Sequence, residues 1–163
     1  MSIDVKLLFF LNSLTGKYPS FDYLVVFLAE YLPYILIVAF LLLLYFSIYS
    51  KKQKLYVFTV TFISSLVSCF GIAGLAHFLY HRARPFLTHS LNPLFLESGW
   101  SFPSSHSAFF FAMAMAIYLF NKRWGIGFLI VTVLITVRRI VTGVHNPSDI
   151  VGVMIIGVLT PYT

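Results

Sequence analysis

Charge is what this sequence has least of. Only 10% of its 163 residues are charged, five acidic against eleven Lys and Arg, where a soluble domain carries about 25%. So thin a supply of polar surface excludes an ordinary soluble domain. Cysteine occurs once, at Cys69 inside an apolar run, which excludes an internal disulfide. A basic n-region and a small-residue cleavage site are also missing from the N-terminus, which carries Asp4 instead, so no removable signal peptide is expected there.

What the sequence has in quantity is hydrocarbon: 60% of residues are hydrophobic and 18% aromatic. At about 20 residues per span, this length accommodates roughly five or six crossings and no separate soluble domain. The expected fold is all-α, a single domain over residues 1–163 built as a polytopic membrane helix bundle. It should have about five transmembrane helices and an N-terminal interfacial helix. The formal charge of +6 falls at the ends of apolar segments and not along one face, so the bilayer and not nucleic acid is the expected partner. No feature bears on oligomeric state.

Residues 3–14 are too short to cross a bilayer and carry Asp4 and Lys6 near one end, so they are expected in the membrane interface. A turn-rich stretch over 16–22 leads to a first span at 23–49, interrupted by Glu30 and Pro33 and closed by Lys51, Lys52 and Lys54. An acid inside a span normally has a partner, so Glu30 is expected to face the bundle and pair with Arg138 or a site histidine. The second span runs from Leu55 to about Tyr80, and its continuation places His77, His81 and Arg84 at i, i+4 and i+7 on one helix face. Gly71 and Gly74 in it are expected to permit close helix packing. A polar loop over 86–102 precedes a third span at about 104–120. Asn121-Lys122-Arg123 then turns into a fourth, 124–141, and a fifth starts at Pro147 and stops before Pro161.

The chemistry-bearing residues gather in three stretches: 77–85, 98–107 and 138–149. In the second, Pro103 biases Phe102 away from helix and Ser104 is a good N-cap. A helix beginning there leaves free N–H groups and the positive dipole end beside Ser105 and His106, a geometry that binds phosphate. In the third, Asn146 as cap and Pro147 as first residue place Asp149 where the dipole favours a carboxylate that turns back towards His145. A carboxylate holding one imidazole nitrogen leaves the other as nucleophile. Forked arginines and helix-end amides stabilise the equatorial charge of phosphoryl transfer. Asp149 and Glu97 are the only acids near these stretches, so no metal and no cofactor is expected.

In order, the stretches resemble the signature of the type-2 phosphatidic acid phosphatase superfamily: Lys-x6-Arg-Pro, Pro-Ser-Gly-His and Ser-Arg-x5-His-x3-Asp. Arg84-Pro85 matches the first, with His77 in the lysine's place. Pro103-Ser104-Ser105-His106 matches the second, with Ser105 for glycine. Arg139, His145 and Asp149 match the third, with Arg138 for serine. The resemblance covers about residues 20–160 and looks most like the small bacterial undecaprenyl-diphosphatases. It implies an integral membrane lipid phosphatase working through a phosphohistidine. His145 would attack phosphorus with Asp149 orienting its ring, and His106 would protonate the leaving oxygen. Arg84, Arg139, Ser104, Ser105 and His77 would hold the phosphoryl oxygens, with His81, Arg138 and Glu30 as accessory groups. A histidine is charged only below about pH 6.5 whereas a lysine stays positive, so the exchange at position 77 leads us to expect greater activity at mildly acidic pH.

The expected substrate is undecaprenyl diphosphate, converted to undecaprenyl phosphate. Phosphatidate or phosphatidylglycerophosphate phosphatase activity stays open, as does a non-catalytic binder of anionic lipids. Arg82 reads as a headgroup anchor. Lys51, Lys52, Lys54, Lys122 and Arg123 fall in two turns free of acids, which assigns that side to the cytoplasm. The protein is then expected in the plasma (inner) membrane with its site facing the extracytoplasmic side.

Overall fold

The computed structural model describes residues 2–162, and among them every regular element is helical. Helix α1 (Ile3–Asn12) is followed by α2 (Pro19–Glu30) and α3 (Leu32–Phe46). These last two form one apolar stretch bent by 46° at Tyr31. Pro33 accounts for the bend, because its ring clashes with the carbonyl four residues back and it has no N–H to donate. Helix α4 (Lys51–Leu66) opens on a capping box: Gln53 N–H donates to Ser50 Oγ at 3.3 Å and Ser50 N–H to the Gln53 side-chain Oε1 at 2.9 Å. It passes through a π-helical segment (Val67–Ile72) into α5 (Ala73–Leu79), 29 residues in all.

After α6 (Pro85–Thr88) and an irregular loop come α7 (Ser105–Phe120), α8 (Lys122–Val141) and α9 (Pro147–Leu159), with a final 3-10 turn at Thr160–Tyr162. Helix α7 is apolar on every face and, from Ser107 to Ile117, buried at all positions but the half-buried Phe109. A helix of that kind belongs in the core, and α7 is the element against which α4, α8 and α9 pack. Gly157 lets α9 close on it: a Cβ there would stand 2.4 Å from Phe111 Cβ and 3.1 Å from the Ala108 carbonyl. The expectation that Gly71 and Gly74 play this part is corrected, since a Cβ at Gly74 meets nothing within 4 Å and one at Gly71 meets only Val67, on the preceding turn.

The α4–α5 unit and α8 are long and apolar enough to cross a bilayer, the bent pair α2–α3 makes a third such length, and α7 and α9 are shorter. Tyr49 lies 6.3 Å from the Trp124 ring and its hydroxyl donates to the Phe120 carbonyl. The two lysine-bearing turns therefore meet at one end of the bundle. At the other end lie the N-termini of α7 and α9, the C-terminus of α8, and α1. Leu8 of α1 is fully buried, and Asn12 Nδ2 donates to the carbonyls of Val141 (2.9 Å) and Asn92 (3.1 Å). Helix α1 is thus bolted to the bundle on one side, while Ile3, Leu7 and Phe10 stay exposed on the other.

The second apolar helix ends earlier than its periodicity predicts. Tyr80 is already extended, and Arg84 sits at φ −70°, ψ 148°. Pro85 imposes that conformation on the residue before it. Consequently His77, His81 and Arg84 do not share a helix face; the chain unwinds after Leu79 and carries Arg82 and Arg84 inwards.

Candidate active site

The helix ends converge on a cavity of about 460 Å³ whose walls include His77, Arg84, Glu97, Trp100, Ser105, His106, Arg139 and His145. All three sequence stretches contribute to it. Helix termini bring several of these groups there: His77 from the end of α5, Ser105 and His106 from the first turn of α7, Arg139 from the last turn of α8, while Glu97 and Trp100 come from the loop between α6 and α7. His145 follows a reversal at Gly143, whose φ of +75° favours a residue without Cβ.

His145 is 1% exposed. Its Nε2 lies 2.9 Å from Arg139 Nη2 and 3.4 Å from Arg84 Nη1. Guanidinium groups only donate, so Nε2 is the acceptor nitrogen and the ring proton sits on Nδ1. Burial pushes the imidazole down to about 4; Asp149 opposes that shift while Arg139 and Arg84 reinforce it. The ring is therefore neutral near pH 7, with its lone pair on Nε2, where Arg139 donates to it.

Asp149 lies behind the ring, its Oδ2 3.7 Å from Nδ1. That separation is an electrostatic contact longer than a hydrogen bond. Asp149 is itself held rigidly: Oδ2 accepts from Asn146 N–H at 2.8 Å and from the Ser101 hydroxyl, and Oδ1 from Arg82 Nη1 at 2.6 Å. Asn146 and Pro147 start α9 as the sequence predicts, with Asp149 at its third position.

Arg84 is fixed by four groups besides His145. Its Nε donates to the Gly99 carbonyl (3.2 Å), Nη1 to Val144 (3.2 Å) and Nη2 to Ser98 (3.0 Å), and Nη1 pairs with Glu97 Oε2 at 2.9 Å. The same Glu97 oxygen is 2.6 Å from Arg139 Nη2. Burial alone would raise the Glu97 carboxyl, but Arg139 and Arg84 hold it below the usual carboxylate range. It is ionised, and it occupies the fork between both guanidiniums.

Other predicted residues fall differently. Ser104 caps α7 by position, yet its buried hydroxyl pairs with Ser107 Oγ at 3.1 Å, and Ser105 rather than Ser104 lines the cavity. His81 stands outside, its ring 4.8 Å from that of Trp100. Arg138 faces a second cavity, as does Glu30. The expected Glu30–Arg138 pair is not formed: no ion pair to Glu30 occurs among the described residues, and Glu30 is exposed at the α2–α3 bend.

Arg82 is corrected from a headgroup anchor to an internal clamp. It bridges Asp149 Oδ1, Asp4 Oδ2 (3.0 Å) and Ser148 Oγ (2.7 Å). Asp4, Ser101 and the bridging part of Glu97 escaped sequence reasoning. They lie in a terminal helix and an irregular loop, where no period or spacing marks them; the scarcity of acids was the one available signal.

Residues 53–162 match the PAP2 superfamily. The chain is 33% identical over 154 residues to the bacitracin transport permease protein BcrC of Bacillus licheniformis, covering 93% of this chain and 73% of that protein. It is 31% identical over 144 residues to the undecaprenyl-diphosphatase BcrC of Bacillus subtilis (strain 168), covering 85% and 70%. In fold it is similar to Aquifex aeolicus LpxE, with a TM-score of 0.76 at 23% identity over 99% of this chain and 94% of that one. A second similar structure is the PAP2-type phosphatidylglycerolphosphate phosphatase of Bacillus subtilis, at TM-score 0.64 and 18% identity over 99% and 84%. With apolar helices around a cage of basic side chains and the superfamily match extending over most of its length, this chain belongs to the PAP2 superfamily of membrane lipid phosphatases.

Proposed function

We propose that the protein hydrolyses a lipid diphosphate, undecaprenyl diphosphate being the leading candidate, in two steps through a phosphohistidine. The observation that carries this reading is the neutral His145 ring, with Nε2 between two arginines and a fixed carboxylate behind Nδ1.

In the first step Nε2 forms a bond to the terminal phosphorus while the bridging P–O bond breaks. The electron pair leaves with the bridging oxygen, which His106 protonates. Arg84 and Arg139, together with Ser105 and the first-turn amides of α7, hold the equatorial oxygens as charge develops. Asp149 stabilises the positive charge that His145 acquires. In the second step water, deprotonated by His106, attacks phosphorus and the P–N bond breaks, which releases inorganic phosphate and restores the neutral ring. His77 lies on the cavity wall, its Nε2 buried without a hydrogen-bond partner, and we assign it to a phosphoryl oxygen.

Five crossings fit this site if α2–α3, α4–α5, α7, α8 and α9 each traverse the bilayer, with α1 lying at the surface beside the cavity. Sixteen residues of α7 span about 24 Å, less than the roughly 30 Å hydrocarbon thickness. The site then opens at headgroup depth, where a lipid arrives sideways and water from the aqueous side. The two lysine-bearing turns at the far end favour an extracytoplasmic site in the plasma membrane.

The test is phosphate release from undecaprenyl diphosphate by purified protein in EDTA, alongside His145→Ala and rapid-quench trapping of a phosphoenzyme. Release by the parent protein and a phosphoenzyme missing from the variant are expected. Equal release by the two would exclude the phosphohistidine route, and binding without release by either would point to a lipid carrier.

A further inference from the structure

The second cavity, about 590 Å³, adjoins the first and shares Glu97, His106 and Arg139 with it. On its own side it is walled by Tyr31 and Tyr34 at the α2–α3 bend, by Phe110, and by Arg138. Arg138 is the anomaly. It is 6% exposed, its Nε has no hydrogen-bond partner, and its guanidinium makes no hydrogen bond or ion pair among the described residues. Of the two acids that share its cavity, Glu97 is paired with Arg84 and Arg139, and Glu30 does not come within ion-pair distance of it.

A guanidinium this deep in a membrane bundle, its Nε buried without a partner, faces a site that supplies its counter-charge. A planar fork of donors in an aromatic-walled cavity matches a phosphate attached to an apolar chain. Its position decides which phosphate. The reacting phosphoryl group lies in the first cavity, against His145, and His106 stands on the boundary between the two. The group on the far side of that boundary is the one that departs on the lipid.

We propose that the second cavity is the subsite for the phosphate retained by the lipid, with Arg138 as its ligand, so that Arg138 selects lipid diphosphates over lipid monophosphates. This rests on the phosphatase reading above and adds a specificity determinant to it. In a diphosphate the departing group is itself a phosphate whose charge grows as the bridging bond breaks, and Arg138 is placed to meet that growth. A lipid monophosphate presents no second anion there, so its turnover gains far less from Arg138.

The experiment compares kcat/KM for farnesyl diphosphate and farnesyl phosphate, which share a tail and differ by one phosphate, in the parent protein, Arg138→Gln and Arg138→Lys. The diphosphate-to-monophosphate ratio should fall about 10- to 100-fold in Arg138→Gln, the loss of one charge-assisted contact, and recover in part in Arg138→Lys. An unchanged ratio in a variant that still turns over would overturn the subsite while leaving the phosphatase reading intact. Absence of turnover in the parent protein would instead remove that reading. A second arm needs neither turnover nor a folded variant: binding of farnesyl methylenediphosphonate and farnesyl phosphonate to the parent protein. The diphosphonate should bind at least about tenfold tighter; equal affinities would count against Arg138 as a diphosphate ligand.

Discussion

Glu97 Oε2 lies 2.6 Å from Arg139 Nη2, in the position where the reaction proposed above puts a phosphoryl oxygen. With Arg84 Nη1 at 2.9 Å from the same oxygen, the carboxylate takes up donors of both guanidinium forks. In the proposed reaction, phosphate displaces it to use both forks.

Glu97→Gln should therefore let inorganic phosphate inhibit hydrolysis at about tenfold lower concentration, because an amide competes weakly with a dianion for two guanidiniums. The same change should lower the melting temperature, since both arginines lose their counter-charge. Phosphate titration of the rate and a thermal melt in one detergent check the two together. Unaltered phosphate inhibition would mean that Glu97 is not in competition with substrate.

Asp149→Asn removes the charge that faces Nδ1 and also the partner of Arg82. A loss of about 10²- to 10⁴-fold in kcat is expected, with KM changed far less, because the carboxylate acts on the ring and not on the bound lipid. Steady-state kinetics with the phosphoenzyme level followed in parallel checks this. A rise in KM at constant kcat would assign Asp149 to substrate binding instead.

The depressed His145 imidazole makes stability depend on pH in a definite direction. Its value falls from 6.5 to about 4 on folding, so between those limits the unfolded chain binds the extra proton. Stability is then complete above about pH 6.5 and is lost as pH falls towards 4, by on the order of 3 kcal/mol for this group. Melting temperatures measured from pH 7 to pH 4 should fall across that window, and His145→Gln should flatten the profile. An equally steep fall in the variant would trace the acid sensitivity to other groups.

Gly157→Ala should cost roughly 1–3 kcal/mol, since its Cβ would overlap Phe111 Cβ at 2.4 Å and both neighbours belong to tightly packed helices. Gly74→Ala, which meets open space, is the control and should leave the melting temperature nearly unchanged. Thermal unfolding of the two variants side by side settles the contrast.

Much of the site was legible because helix termini write themselves into sequence. Pro147 after Asn146 fixed the start of α9, and with it the placement of Asp149 behind His145; Pro103 did the same for α7 and His106. What stayed hidden depended on contacts between distant residues. A helical period extrapolated past Leu79 put His81 beside Arg84, but Pro85 overrode it. Arg82 read as a surface anchor because its partner, Asp149, lies 67 positions away. Glu97 sits in an irregular loop, where nothing local specifies a side chain's direction. The count of about five spans depends on α7 and α9, whose 16 and 13 residues are shorter than the usual length of a crossing.

The clasp of Asp4 on Ser148 and Arg82 joins positions 144 apart. Ribosomal synthesis therefore delivers the first jaw of this clasp long before the second. Until α9 emerges, Arg82 has no Asp149 to clamp and the His145 ring has no carboxylate behind it. A chain made only as far as α8 thus carries Arg84, His106 and Arg139 but lacks the carboxylate that stands behind His145.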